Sequence, residues 1–239
     1  MNVLAIGNSF SQDATRYLHD IARSEGVKLE VVNLYIGGCS LDMHFRNMMG
    51  DKKAYSLEVD GHSSGIFVSI KDALLSREWD VVTLQQVSGG SGKYETFSPY
   101  LKELSEYVRK YAPKAKQFIH ETWAYEDDSK LLMDRYGYTK STDMYNDLKS
   151  AYKKAAEDIS ADGIIKSGTL IMKLLENGIG KIHRDTFHLT YGPGRFAAGL
   201  LWYKTLLQKP IDDVSFADFD EPVCEEEITV IKKCINEIL

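Results

Sequence analysis

Val3-Leu4-Ala5-Ile6-Gly7-Asn8-Ser9-Phe10-Ser11 lies near the start of the chain, and its reading decides the fold. Four consecutive apolar residues ended by a glycine read as a short strand buried on both faces, because a half-exposed strand alternates apolar and polar. A polar turn follows, then helical spacing over 13–26, with Ala14, Tyr17, Leu18 and Ile21 on one face. The unit repeats along the chain. Residues 29–35 (LEVVNLY), 80–86 (DVVTLQQ), 116–120 (KQFIH) and 163–165 read as further strands. Helical patterns occupy 66–78, 96–111, 143–159, 191–207 and 225–238. This alternation predicts an α/β fold with a mostly parallel, five-stranded sheet covered on both faces. Two stretches fall outside it: 54–65, read as a hairpin or surface excursion, and 124–142, read as a long loop or lid.

A chain of 239 residues suffices for a single domain, read here as 1–239, and no Pro-rich linker or repeat divides it. The net charge of −6 and the lack of any Lys/Arg-dense run argue against nucleic acid or an anionic membrane surface as partner. Cys39, Cys224 and Cys234 are odd in number and widely spaced, so no disulfide framework is expected. The N-terminus reads directly as a core strand, with no signal pattern, and no run approaches a membrane span. A cytoplasmic location is therefore the expectation.

In parallel sheets, ligands sit beyond the carboxyl ends of the strands. The residues there are Gly7-Asn8-Ser9, Gly37-Gly38, Gln85-Gln86 and His120-Glu121. Ser9 follows the first strand and precedes a helix, a place where its own N–H can face a developing oxyanion. Ser9 or Ser11 as a mere helix cap is the blander explanation. Arg184-Asp185-Thr186-Phe187-His188 changes the balance. A nucleophilic serine needs a base, and the base needs an orienting group. Asp185 can hold Nδ1–H of His188 and leave Nε2 free for Ser9.

These blocks resemble, in order, those of the SGNH/GDSL hydrolases. Gly7-Asn8-Ser9-Phe10-Ser11 is similar to the first block, Gly37-Gly38 to the second, and Asp185-Thr186-Phe187-His188 to the last, followed by a helix that bears Gly192 and Gly194. The resemblance spans almost the whole chain. It implies a three-layer α/β/α, flavodoxin-like fold, with Ser9 as nucleophile, His188 as base and Asp185 as orienter. It also implies an oxyanion hole from the N–H groups of Ser9 and Gly38. The third block departs from the pattern, since Leu84-Gln85-Gln86-Val87-Ser88 holds no Asn. A Gln amide offers the same donors on a longer arm. Strand alternation lets only one glutamine face a given side, so Gln86 is preferred and Gln85 is the alternative. The Gln-Gln pair with the later His-Glu-Thr-Trp-Ala-Tyr resembles a bacterial branch of the superfamily. His120 and Trp123 after the fourth strand, and His44 after the glycine pair, are candidates for lining a substrate cleft.

The expected activity is hydrolysis of a small ester, such as an O-acetyl group on a carbohydrate, through a Ser-His-Asp triad and an acyl-enzyme. The partner is then a small-molecule ester, and the chemistry calls for no metal or cofactor. His183, Asp185 and His188 match no metal-binding spacing. Gly89-Gly90-Ser91-Gly92-Lys93 lacks the spacing of a phosphate loop. Two alternatives stand. Gly61-His62-Ser63-Ser64-Gly65 fits the nucleophile elbow of α/β-hydrolases, with Ser63 attacking, although 55–60 before it alternates as a half-exposed strand does. A non-catalytic ligand-binding protein on the same fold is the other.

Overall fold

The computed structural model describes residues 1–239 and places β1 (Asn2–Gly7) at the middle of one sheet. On one side β1 pairs in parallel with β2 (Glu30–Tyr35); on the other it pairs with a strand later in the chain. After β2 the chain forms an antiparallel hairpin, β3 (Tyr55–Val59) and β4 (His62–Val68), which extends the sheet beyond β2. It returns through β5 (Val81–Leu84) beside β1, then β6 (Lys116–Glu121) and β7 (Gly163–Lys166), all parallel. The full order is β4-β3-β2-β1-β5-β6-β7.

The five parallel strands are those read from the sequence. The sheet nevertheless has seven strands rather than five, because 54–65 and the start of 66–78 form the added hairpin. That hairpin is half-exposed, so neither strand carries the continuous apolar run that marks the parallel ones. β4 is an exposed edge strand. The order of the five parallel strands is the flavodoxin-like one, and its switch point falls between β1 and β5.

Helices flank the sheet. α1 (Ser9–Thr15), α2 (Leu18–Ser24), α8 (Ser167–Glu176), α9 (Pro193–Leu207) and α10 (Glu225–Ile238) pack among themselves. α3 (Leu41–Met49), α4 (Ile70–Leu75) and α5 (Tyr100–Tyr111) form another group, while α7 (Ser141–Asp158) lies against β6 and α8. α9 buries Phe196, Ala197, Leu200, Leu201, Trp202 and Tyr203 around its circumference, as a helix enclosed by protein does. The helical stretch expected over 13–26 is two helices, broken at Arg16-Tyr17. The segment expected as a loop over 124–142 contains α6 (Lys130–Asp134). No helix is long and apolar enough to cross a membrane.

Candidate functional site

β1 delivers Ser9 to the carboxyl edge at the switch point. The helix-capping work there is done by its neighbours. Asn8 Oδ1 accepts from Phe10 N at 3.0 Å, and Asn8 N donates to Ser11 Oγ at 3.1 Å. Ser9 Oγ is thus left out of the cap and stays partly exposed. Gly7 makes this turn feasible: a Cβ there would lie 2.4 Å from Ser11 Oγ and 2.9 Å from Gln85 Oε1.

The segment His183 to Leu189 is a tight excursion, closed by a bridge between these two residues and by Arg184 N donating to His188 O at 2.9 Å. Inside it, Asp185 Oδ1 accepts from the backbone N–H of His188 (2.8 Å) and of Phe187 (3.4 Å). Oδ2 is left to accept His188 Nδ1–H at 2.7 Å. His188 Nε2 then lies 2.9 Å from Ser9 Oγ. Partial burial pushes the Asp185 carboxyl up, but hydrogen bonds and charge from His188 outweigh it and hold the group below the usual carboxylate range. A hydroxyl, an imidazole and a carboxylate in one hydrogen-bonded line have the geometry of a nucleophile, a base and an orienting group.

Three sets of contacts fix this segment. Asp13, one turn beyond Ser9 on α1 and fully buried, binds Arg184 Nη1 at 3.0 Å and the N–H of Leu189 at 3.1 Å. Arg195 Nε reaches the same carboxylate at 2.9 Å. From the 124–142 segment, Glu126 N donates to Thr186 O, and Thr186 Oγ1 donates to Ser129 Oγ. Thr186 itself sits at φ +75°, a left-handed conformation unusual for a β-branched residue. Beneath the imidazole, Phe10 stacks on Trp123 at 4.1 Å, and Trp123 Nε1 donates to Phe187 O at 2.7 Å.

The second glycine block is beside the first. Gly38 is exposed with φ +64°, and Asn8 Nδ2 donates to Cys39 O at 3.1 Å, tying the two strand-end turns together. The glutamines behave differently from expectation. Both N–H groups of Gln86 point to Thr96, reaching its carbonyl at 2.8 Å and its hydroxyl at 3.1 Å, while Oε1 accepts from Leu41 N and Val87 N. The preferred donor is therefore committed to the turn that follows β5. Gln85 is the one turned toward the Ser9 turn, but its Nε2 donates to Asn8 Oδ1 at 2.9 Å.

The three cleft candidates are interior residues. His120 is fully buried between Gln85 and Ser167. Trp123 is fully buried under the His188 segment, and His44 is fully buried against Tyr55 and Cys39. His44 and His120 point inward from α3 and β6, and Trp123 inward from the loop after β6, where the local polar pattern gives no warning. Ser63 lies in β4, exposed, at an antiparallel edge rather than at a strand-to-helix elbow, so the α/β-hydrolase reading is overturned. A cavity of about 660 Å³ opens beside Glu126, Asp127, Asp128 and Glu176, and no member of the Ser9-His188-Asp185 line borders it. No cluster of three or more His, Cys, Asp or Glu side chains is arranged to hold a metal ion.

Sequence reasoning placed Asn8 at the strand end but missed its capping role, and it missed the role of Asp13 altogether. Asn8 between a strand and a helix carries a capping signal that was there to find. Asp13 carries none, because its partners are more than 170 residues away.

Comparison with known proteins agrees with this architecture. No curated protein matches the sequence. A protein provisionally assigned as an SGNH hydrolase, from Slackia heliotrinireducens, superposes with a TM-score of 0.60 at 23% identity, over 86% of this chain and 98% of that one. An acetylxylan esterase from Geobacillus stearothermophilus superposes at 0.51 and 13% identity, over 90% and 94%. These likenesses show that the fold is that of the SGNH hydrolases. A DUF4886 family protein from Bacteroides uniformis superposes at 0.91 with 31% identity, over 99% of this chain and 93% of that one. The family model described as a domain of unknown function, DUF4886, matches residues 2–236, and the chain belongs to that family.

Proposed function

We propose that the protein is a serine hydrolase acting on a small ester, with Ser9 as nucleophile, His188 as general base and Asp185 as its orienting partner. One observation carries the reading: Ser9 Oγ, His188 Nε2, His188 Nδ1 and Asp185 Oδ2 form an unbroken line with contacts of 2.9 and 2.7 Å. Residues 179 positions apart meet in it, and Ser9 has no capping duty that would explain its place.

His188 Nε2 takes the Ser9 hydroxyl proton as Oγ attacks the ester carbonyl carbon. The carbonyl π electrons move to oxygen, and the backbone N–H groups of Ser9 and Gly38 receive the oxyanion. As the tetrahedral intermediate collapses, the alcohol oxygen leaves with the proton from His188, and the acyl group stays on Ser9. Water then gives its proton to His188 and attacks the acyl carbon. Ser9 Oγ leaves and recovers that proton. Asp185 stays ionised throughout and stabilises the imidazolium formed in each half. The Geobacillus neighbour, described as an acetylxylan esterase, favours an O-acetylated carbohydrate as the natural ester.

The test is cheap. Wild type hydrolyses a short chromogenic acetate ester and is labelled at Ser9 by a fluorophosphonate. Ser9→Ala keeps its circular-dichroism spectrum and melting temperature, but loses the label and about 10⁴-fold or more of the turnover. A folded wild type that is neither labelled nor active returns the chain to the ligand-binding reading.

A further inference from the structure

We infer that Gln85 and His120 are positioning residues, whose hydrogen-bond chain across the sheet's carboxyl edge sets the backbone donors of the oxyanion site. The inference rests on the serine-hydrolase reading above and replaces the expectation that a glutamine contacts the oxyanion directly.

The chain takes one residue from each parallel strand or the turn after it, in spatial order, and joins the five by four hydrogen bonds. Ser167 Oγ, after β7, lies 3.0 Å from His120 Nε2 on β6. His120 Nδ1 lies 2.8 Å from Gln85 Oε1, after β5. Gln85 Nε2 donates to Asn8 Oδ1, after β1, and Asn8 Nδ2 donates to Cys39 O, after β2. Asn8, Gln85, His120 and Ser167 are all buried.

The direction of every link follows from two backbone groups. The N–H of Phe10 can only donate and the C=O of Cys39 can only accept, which fixes the Asn8 amide with Oδ1 toward Phe10 and Nδ2 toward Cys39. Gln85 must then donate to Oδ1, and its own oxygen faces His120. His120 therefore donates from Nδ1, and in the neutral ring its Nε2 accepts from the Ser167 hydroxyl. Complete burial favours this neutral imidazole, with the histidine pushed down to about 3.

The two residues held at the end of the chain matter most. Asn8 precedes Ser9, and Cys39 follows Gly38, so the link between them spaces the N–H groups proposed to bind the oxyanion. Gly7 admits the chain, since any side chain there would collide with Gln85 Oε1. Polar side chains buried at this density, with every partner assigned, rigidify the groups they tie.

The experiment compares wild type with Gln85→Leu, His120→Leu, His120→Asn, His120→Gln and the double leucine variant. Each is assayed with p-nitrophenyl acetate and titrated with a short alkylboronic acid, which adds to a serine hydroxyl as a tetrahedral anion. Urea curves establish that each variant is folded under assay conditions. Both leucine variants are expected to lose about 10- to 100-fold in kcat with KM within about threefold, because donors are misaimed rather than removed. Boronate affinity falls by the same factor as kcat/KM. The double variant is no worse than about threefold below the poorer single, because both break one chain. His120→Asn puts an N–H where Nδ1–H stood and recovers most of the loss. His120→Gln, whose amide reaches toward Ser167 instead, does not; this pair carries the test if a leucine variant fails to fold. An active wild type with leucine variants within threefold of it in kcat, or a Gln variant equal to the Asn variant, overturns the positioning role alone. A wild type inert to ester, boronate and fluorophosphonate overturns the hydrolase reading, and this role with it.

Discussion

Ser9 and Asp13 stand one helical turn apart on α1, and both grip the same short segment: Ser9 Oγ meets His188 Nε2, while the Asp13 carboxylate holds Arg184 and the N–H of Leu189. Arg184 and Leu189 flank Asp185 and His188. The helix that presents the hydroxyl therefore also sets the height of the imidazole.

Replacing Asp13 by Asn removes a fully buried charge and leaves Arg184 without its carboxylate partner. Arg195 retains Asp220. Removing one member of a buried ion pair costs about 3–5 kcal/mol. Urea unfolding of Asp13→Asn is expected to show a loss toward the lower end of that range, since the amide still accepts a hydrogen bond. Its kcat falls even where it is fully folded. Wild-type stability in this variant excludes the clasp.

Asp185→Asn reverses the imidazole. Two backbone N–H groups hold one side-chain oxygen, so the amide nitrogen is forced to face Nδ1. The ring then keeps its proton on Nε2 and offers Ser9 no lone pair. Turnover is expected to fall about 10⁴-fold with little change in KM, as measured by steady-state ester hydrolysis.

Thr186→Gly relieves a β-branched residue of its φ of +75° but gives up the Thr186 Oγ1 to Ser129 hydrogen bond. Thr186→Val gives up the bond and keeps the strain. The glycine variant is expected to be more stable than the valine variant by about 1–2 kcal/mol in chemical denaturation, the scale of strain at such a position. Equal stabilities mean that the conformation is unstrained.

Burial holds His44 and His120 down to about 3, and it holds His183 down to about 4 against the opposing pull of Asp185. An unfolded histidine titrates at about 6.5. Above that pH both states are neutral and the stabilisation is complete. Below it the unfolded chain takes up protons that the folded chain refuses, so stability falls continuously from about pH 6.5 toward the folded values. Each histidine contributes a slope of up to about 1.4 kcal/mol per pH unit. Urea midpoints between pH 8 and 5 check this. His44→Phe, which keeps an aromatic ring against Tyr55, is expected to flatten the slope by one histidine's share.

The parallel sheet was legible because strands buried on both faces advertise themselves as apolar runs, as Val3–Ile6 does. Ser9 was legible because it follows the first such run, and Asp185 and His188 because they share one short polar block ahead of a helix. What the sequence concealed was direction. Gln85 and Gln86 are chemically identical neighbours, and the difference between them is made by Thr96, in a turn whose path no periodicity describes. His44, His120 and Trp123 are polar or amphipathic residues within or just past elements near the carboxyl edge, where an opening onto a cleft and a pocket inside the core produce the same local pattern. A hairpin at 54–65 was among the readings, but its pairing with β2 and the run of β4 to Val68 were hidden, because β4 is exposed along its length and carries no apolar run.

Trp123 lies flat against Phe10 and is tethered through its indole N–H to the carbonyl of Phe187, immediately before the imidazole. Of the three tryptophans, Trp79 bonds to Ala73, Trp202 sits in α9 against His120, and only Trp123 bonds to the His188 segment. The protein thus carries an intrinsic optical reporter under the His183–Leu189 segment. If Ser9 is acylated as proposed, ultraviolet emission followed on a stopped-flow instrument is expected to change with acylation and deacylation, with no dye attached.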